Sequence, residues 1–280
     1  MTPPPVLPTA EERAADWWRT DIIDIAPGSI RMRGYAIEEL IGRVDFPAMI
    51  WLMLRGELPS PDQAALLAAA LVAGVDHGPH APSIAVARMA ATCGIGLNSA
   101  MASAINVLGD VHGGAGQQCM ELYAQIDARV RQGLPIEEAA AAEIGDRLAR
   151  KAHIPGFGHR FHPVDPRSGR LLALVDAARD GGTVSGHFAA IGRAVEQALA
   201  GAKGKRLPMN IDGATAVVFA ELGFPAALGR GLFVLSRSVG ILAHAWEQSQ
   251  QGGRIKGPMP PSLAYRYTGV PARPLGDDRR

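Results

Sequence analysis

Ile154-Pro155-Gly156-Phe157-Gly158-His159-Arg160, followed by Asp165-Pro166-Arg167, is the stretch on which the reading of this chain turns. Its proline and paired glycines suit neither helix nor strand, so the segment reads as a loop. The loop presents His159 beside Arg160, and Arg167 follows behind an Asp-Pro turn. A histidine can polarise a carbonyl oxygen or hand it a proton. Guanidinium groups clamp carboxylates with paired donors. The set suits a substrate that carries both a carbonyl and carboxylates. The bland alternative is a surface turn with incidental charges.

Two other segments have the same character. Gly109-Asp110-Val111-His112-Gly113-Gly114-Ala115-Gly116 puts a histidine at a glycine-rich break between apolar stretches. Pro208-Met209-Asn210-Ile211-Asp212-Gly213 puts an aspartate just before an apolar, helix-like run. Two histidines and an aspartate, each at the mouth of a helix, form a candidate acid/base set.

Together these segments resemble the citrate synthase family. Met32 to Leu40, Gly56-Glu57-Leu58-Pro59, Asp76-His77-Gly78 and Ser236-Arg237-Ser238-Val239-Gly240 resemble it as well. The matches keep the family's order over roughly residues 30 to 270. The resemblance implies an all-α fold, a large helical domain (1–114 and 229–280) interrupted by a small helical domain (115–228), with the active site in the cleft. Only residues 60–76 separate Gly-Glu-Leu-Pro from His77, where full citrate synthases have a longer helical stretch. This truncated, compact form resembles citryl-CoA lyases and the lyase module of ATP-citrate lyase.

The resemblance implies roles residue by residue. Asp212 is the candidate base that deprotonates a thioester's methyl group. His112 is the candidate donor to the resulting enolate oxygen. His159 would serve the oxaloacetate ketone or the citryl hydroxyl, and His77 would touch the same substrate. Arg167 and Arg237 would clamp its carboxylates. Arg237 also falls in a strongly apolar run, where an unpaired charge would be costly. For coenzyme A, which is expected as a thioester substrate and not as a bound cofactor, the candidates are Pro155, Gly156, Phe157 and Gly158. Lys203, Lys205 and Arg206 are candidates for its phosphates, and a solvated basic loop is the equal alternative. His80, His153, His162, His187 and His244 read as structural or solvent-facing. Two features depart from the family: the His159–Arg167 interval is one residue short and contains Pro163, and Gly257 stands where synthases often place an arginine.

Composition narrows the classes. The chain has 280 residues and a formal net charge of +1, and 48% of its residues are apolar. That balance suggests neither nucleic acid nor a membrane surface as the main partner. Cys93 and Cys119 read as a reduced pair, and no zinc-like Cys/His spacing occurs. The N-terminus lacks the basic and apolar regions of a signal peptide. Residues 84–108 and 225–246 are apolar but carry Arg88, and Arg230 with Arg237, so both read as core helices. They also suggest a homodimer. The expected activity is citryl-CoA cleavage in the cytoplasm. Citrate or 2-methylcitrate synthesis is the runner-up, a non-catalytic CoA- or metabolite-binding regulator a rival class, and a helical scaffold a third. Helices are expected over about 10–19, 36–44, 46–54, 61–73, 83–108, 114–131, 136–151, 165–179, 185–200, 213–222 and 225–250.

Overall fold

The computed structural model describes residues 9–159 and 162–274. Helices α1 (Ala10–Asp16), α2 (Ile37–Leu40), α3 (Phe46–Arg55), α4 (Pro61–Gly74), α5 (Pro82–Ala91) and α6 (Leu97–Ile105) form the first part. Helices α7 (Ala115–Arg131), α8 (Ile136–Ala149), α9 (Pro166–Asp180), α10 (His187–Lys203), α11 (Ile211–Glu221) and α12 (Ala226–Gln250) follow. A small antiparallel sheet, β1 (Ile23–Ala26), β2 (Ser29–Met32) and β3 (Tyr35–Ala36), lies between α1 and α2.

Local chemistry sets several of the boundaries. Ser60 and Gln63 make a capping box at the start of α4, with Pro61 at the first helical position. Asp45 caps α3, accepting the Ala48 N–H at 2.8 Å. In the sheet, Ala26 pairs with Ser29 across Pro27-Gly28, and Met32 pairs with Tyr35 across Arg33-Gly34. The second turn needs two positive φ angles, and Arg33 accepts the strain at φ 49. The Arg33 guanidinium then donates to the Met53 carbonyl at 2.8 Å, which ties the hairpin to α3.

Three expected helices are cut short; the one expected over 10–19 ends at Asp16. The helix expected over 36–44 ends at Leu40, because Ile41 turns extended and Gly42 takes φ 78. The single helix expected to run to Leu108 is two helices, α5 and α6. Gly94 at φ 82 breaks it, and Gly96 starts the second piece. Alanine-rich periodicity carried straight through this break, because glycine is permissive without announcing where it turns.

The chain divides into two compact units. The first contains residues up to Val75 and Gly113–Ser236; the second contains Asp76–His112 and the chain from Arg237 onward. In the first unit, the core joins Leu122, Tyr123 and Ile126 of α7, Ile191 and Val195 of α10, and Val217 and Val218 of α11. In the second, Ile84 and Ala87 of α5, Ala100 and Ala104 of α6, and Ile241 and Ala245 of α12 make a smaller core of small residues. Helix α12 is less buried than a core helix. Among the described residues it is the one helix long and apolar enough to cross a membrane, and 33% of that window is buried. Its exposed apolar residues, Leu235, Val239, Leu242 and Trp246, recur at helical spacing.

A cap from another helix stabilises α10. The N-cap Gly186 offers no side chain. The Glu221 carboxylate, at the end of α11, accepts the N–H groups of Gly186 (2.9 Å), Phe188 (2.7 Å) and Ala189 (3.1 Å), and the Ser185 hydroxyl (3.0 Å). It thus meets the orphan donors and the positive end of α10 together. Glu221→Ala is expected to lower stability by about 2–3 kcal/mol, the scale of a lost charged cap. Denaturant titration checks it, with Glu221→Gln expected to lose less.

Candidate active site

Within the first unit, the loop that opened the sequence reading is laced to the start of α11. Gly158 N–H donates to the Pro208 carbonyl at 2.7 Å, and Asn210 N–H donates to the Gly156 carbonyl at 2.9 Å. The Asn210 side-chain amide donates to the Gly158 carbonyl at 2.6 Å, and Phe157 pairs with Met209 in an isolated antiparallel bridge. Gly156 takes φ 85, and a Cβ there would lie 2.5 Å from Cys119 Sγ and 2.9 Å from Gly213 Cα. The loop backbone therefore rests on the first turn of α11, where only glycine fits. His159 and Asp212 project from two segments held together in this way.

Asp212 does not precede α11 as its cap. Asn210 is the N-cap, its side chain accepting the N–H groups of Asp212 (2.9 Å) and Gly213 (3.3 Å). Asp212 sits in the first turn, half-buried. A carboxylate there gains from the helix dipole and is not needed for the cap. Beneath it, burial pushes the Cys119 thiol up to about 12, and the Asp212 charge adds to that against an opposing hydrogen bond from Tyr123. Cys119 thus stays a thiol and is no nucleophile. Cys93 and Cys119 are both free cysteines.

His159 is half-buried, and its Nδ1 accepts the His162 backbone N–H at 3.1 Å. The proton of the neutral ring is therefore on Nε2, a donor. The His162 ring packs at 4.6 Å between centroids, so His162 supports His159 and is more than a solvent-facing residue. Arg160 lies outside the described residues.

Arg167 is engaged within the chain. Its Nε and Nη2 donate to the two carboxylate oxygens of Asp165, each at 2.9 Å. Asp165 is 2% exposed and also accepts the N–H groups of Arg167 (3.1 Å) and Ile211 (3.0 Å). Burial works to raise its carboxyl, but Arg167 and these N–H groups outweigh that and hold it below the ordinary value. One bidentate edge of Arg167 is therefore taken, and Nη1 lies 3.5 Å from the Ala73 carbonyl. Asp165 joins the start of α9 to the start of α11.

The basic residues expected near phosphates are at the surface. Lys203 ends α10, and Lys203 and Lys205 are exposed. Arg206 pairs with Glu196 at 3.0 Å, and Glu196 also accepts the Met209 N–H at 3.0 Å. Of the CoA loop candidates, Pro155 and Gly156 are buried, while Phe157 and Gly158 are half-buried.

The second unit carries His77, His112 and Arg237. His112 Nε2 accepts the backbone N–H of Ser83 at 3.2 Å and lies 3.1 Å from the Ser83 hydroxyl. Ser83 is in the first turn of α5, behind Pro82. Accepting at Nε2 leaves the ring proton on Nδ1. Burial, then the positive charge of Arg237, hold the His112 pKa below its ordinary value. The helix N-terminus favours the neutral ring in the same sense. His112 is thus a neutral imidazole with Nδ1–H to give. Arg237 is buried at 6% exposure within α12. His77 is half-buried in the turn after Asp76.

Ser83, Asn210 and Asp165 were missed as site-building residues. Proline at the first position of α5 was the available signal for Ser83, because the N–H groups just behind it have no helical partner.

Residues 11–73 and 59–259 match the family described as "Citrate synthase, C-terminal domain". Citrate synthase of Haloferax volcanii is 32% identical over 220 residues, which are 78% of this chain and 53% of that protein. The chain thus spans about half the length of the curated relatives it matches. The structure of citryl-CoA lyase from Hydrogenobacter thermophilus is 32% identical with a TM-score of 0.82, covering 93% of this chain and 98% of that one. ATP citrate lyase from Methanothrix soehngenii, in complex with citrate and coenzyme A, shares the fold at 23% identity and a TM-score of 0.76, covering 95% of this chain and 45% of that one. Since one family's pattern extends over most of its residues, the chain belongs to the citrate synthase family.

Proposed function

We propose that this protein cleaves citryl-CoA to acetyl-CoA and oxaloacetate. The observation that carries the chemistry is His112, a neutral ring whose Nε2 is occupied by the Ser83 N–H. Such a ring donates from Nδ1 to an oxygen that gains negative charge without losing its own proton. A thioester enolate is such an oxygen. Likeness over 98% of a citryl-CoA lyase, against about half of the citrate synthases, favours cleavage. The naming of the curated relatives as citrate synthases favours condensation as the second reading, with hydrolysis of the thioester to drive it.

In cleavage, the citryl hydroxyl loses its proton to His159. The bond to the methylene beside the thioester breaks, and its electron pair passes into the enolate. His112 stabilises the enolate oxygen, and Asp212 protonates the carbon to give acetyl-CoA. Condensation runs these steps backwards from the Asp212 carboxylate. The His159 tautomer observed, a donor at Nε2, matches the ketone side of the reaction. Cleavage begins from the Nδ1–H tautomer, with the His162 contact released; taking the hydroxyl proton at Nε2 makes the ring an imidazolium, which gives its Nδ1 proton to water to regain the observed tautomer.

His77, Arg167 and Arg237 hold the keto-dicarboxylate in this reading, Arg167 through the edge that Asp165 leaves open. Pro155–Gly158 receive the adenine end of coenzyme A, with Lys203, Lys205 and Arg206 near its phosphates. Residues 115–228 act as the small domain. The enzyme works in the cytoplasm as a homodimer, and the apolar face of α12 supports the dimer. Light scattering is expected to give twice the chain mass at micromolar concentration, and a monomer there would refute the assembly.

Incubation with citryl-CoA, and separately with oxaloacetate plus acetyl-CoA, tests the activity by mass spectrometry. Acetyl-CoA and oxaloacetate without free CoA support the lyase. Citrate with free CoA supports the synthase, and no turnover of either supports a binding protein. Arg167→Lys and Arg237→Lys are each expected to weaken oxaloacetate binding by roughly 1.5–3 kcal/mol, because a lysine cannot pair bidentately. Calorimetry should show acetyl-CoA binding much less affected. Equal losses for both ligands would assign the arginines to the fold.

A further inference from the structure

The second unit contains a polar chain that the reaction scheme leaves unused. Asp76 Oδ2 accepts the Gly78 N–H at 3.1 Å and lies 3.3 Å from His244 Nε2. His244 Nδ1 lies 2.9 Å from Arg88 Nη1. Arg88 also pairs with Glu247 and donates from Nη2 to Gln251 at 2.9 Å. The His244 side chain is 18% exposed.

Arginine has donors only, so His244 Nδ1 must accept. The ring proton then sits on Nε2 and points to Asp76. Arg88, fixed by Glu247 and Gln251, thereby sets the tautomer of His244, and His244 orients the Asp76 carboxylate. Asp76 in turn closes a tight turn onto Gly78, which takes φ 83. His77 is the residue inside that turn. Asp76, Arg88 and Glu247 are the charged groups that face His244.

We propose that His244, held by Arg88, is a positioning residue that fixes His77 through the Asp76 turn and so sets the affinity for the keto-dicarboxylate. The proposal rests on the reading of His77 as a contact to that substrate. Losing a hydrogen bond to a charged ligand costs on the order of 10- to 100-fold in affinity, so a freed turn has a measurable effect.

Oxaloacetate and coenzyme A affinities of the full-length protein decide it, measured by calorimetry beside the thermal midpoint. The variants are His77→Ala, His244→Leu, His244→Gln and Asp76→Asn. Glutamine offers an oxygen to Arg88 and an amide N–H to Asp76; leucine offers neither. His77→Ala and His244→Leu should each weaken oxaloacetate by about 10- to 100-fold, with coenzyme A changed less than about twofold. His244→Gln should recover most of that loss. Asp76→Asn keeps an acceptor for the turn and should show a smaller, oxaloacetate-selective loss, which serves if His244→Leu fails to fold. Normal oxaloacetate binding by His77→Ala overturns the underlying assignment of His77. An impaired His77→Ala beside a normal His244→Leu overturns the positioning role alone. So do equal losses for both ligands, or glutamine no better than leucine.

Discussion

Asp212→Asn is expected to lower turnover by at least about two orders of magnitude, the scale of a lost general base or acid. The fold should survive, because Asn210 and not Asp212 caps α11. The side chain also lies in the first turn, where an amide fits the same space. The loss should fall on turnover, with the affinity for oxaloacetate kept. Exchange of the acetyl-CoA methyl protons with deuterated water isolates the step, and it should vanish in the variant. Near-normal turnover by folded Asp212→Asn would remove Asp212 from the mechanism.

His112→Ala carries the other large effect. Removing one donor to a developing oxyanion costs on the order of 10²–10³ in turnover. Methyl-proton exchange should fall in parallel, since enolisation is the step served. The pH dependence has a defined sign. Burial and the Arg237 charge hold the His112 pKa below its ordinary 6.5, so the neutral donor persists as the solution is acidified through that value. Protonation lower still would place a second N–H against the Ser83 N–H and cost the contact. The Arg237→Lys variant keeps the charge, so its acid limb should stay near that of the parent protein. Arg237→Met should move the limb to higher pH, because one cause of the depression is gone. An exchange rate for His112→Ala within a few-fold of the parent would exclude the enolate role.

Much of this architecture can be read from residues alone. Capping signals such as Ser60-Pro61 with Gln63 are local, and so the helix starts they mark are legible. The break at Pro155-Gly156 is likewise written in residue types that leave the backbone no regular option. The ordered histidine and aspartate segments identify the family because spacing along the chain survives translation into structure. Interior glycines are less legible. Gly42 and Gly94 interrupt runs that apolar periodicity would continue, because a glycine permits a positive φ without requiring one.

Who caps, clamps and orients whom depends on contacts between segments far apart in the chain. Asn210 outcompetes Asp212 for the end of α11 because its side chain also reaches Gly158 from the neighbouring loop. Arg167 spends one edge on Asp165, a pairing that also ties Ile211 to α9. Glu221 caps α10 from a different helix. Ser83 sets the protonation of His112 from 29 residues away in sequence. Propensities and caps act over a few neighbouring residues, and motif order runs along the whole chain, so most of the elements and the family are legible in residue order. The protonation states and donor directions came from the fold, since a hydrogen bond depends on separations of about 3 Å that link segments far apart in the chain.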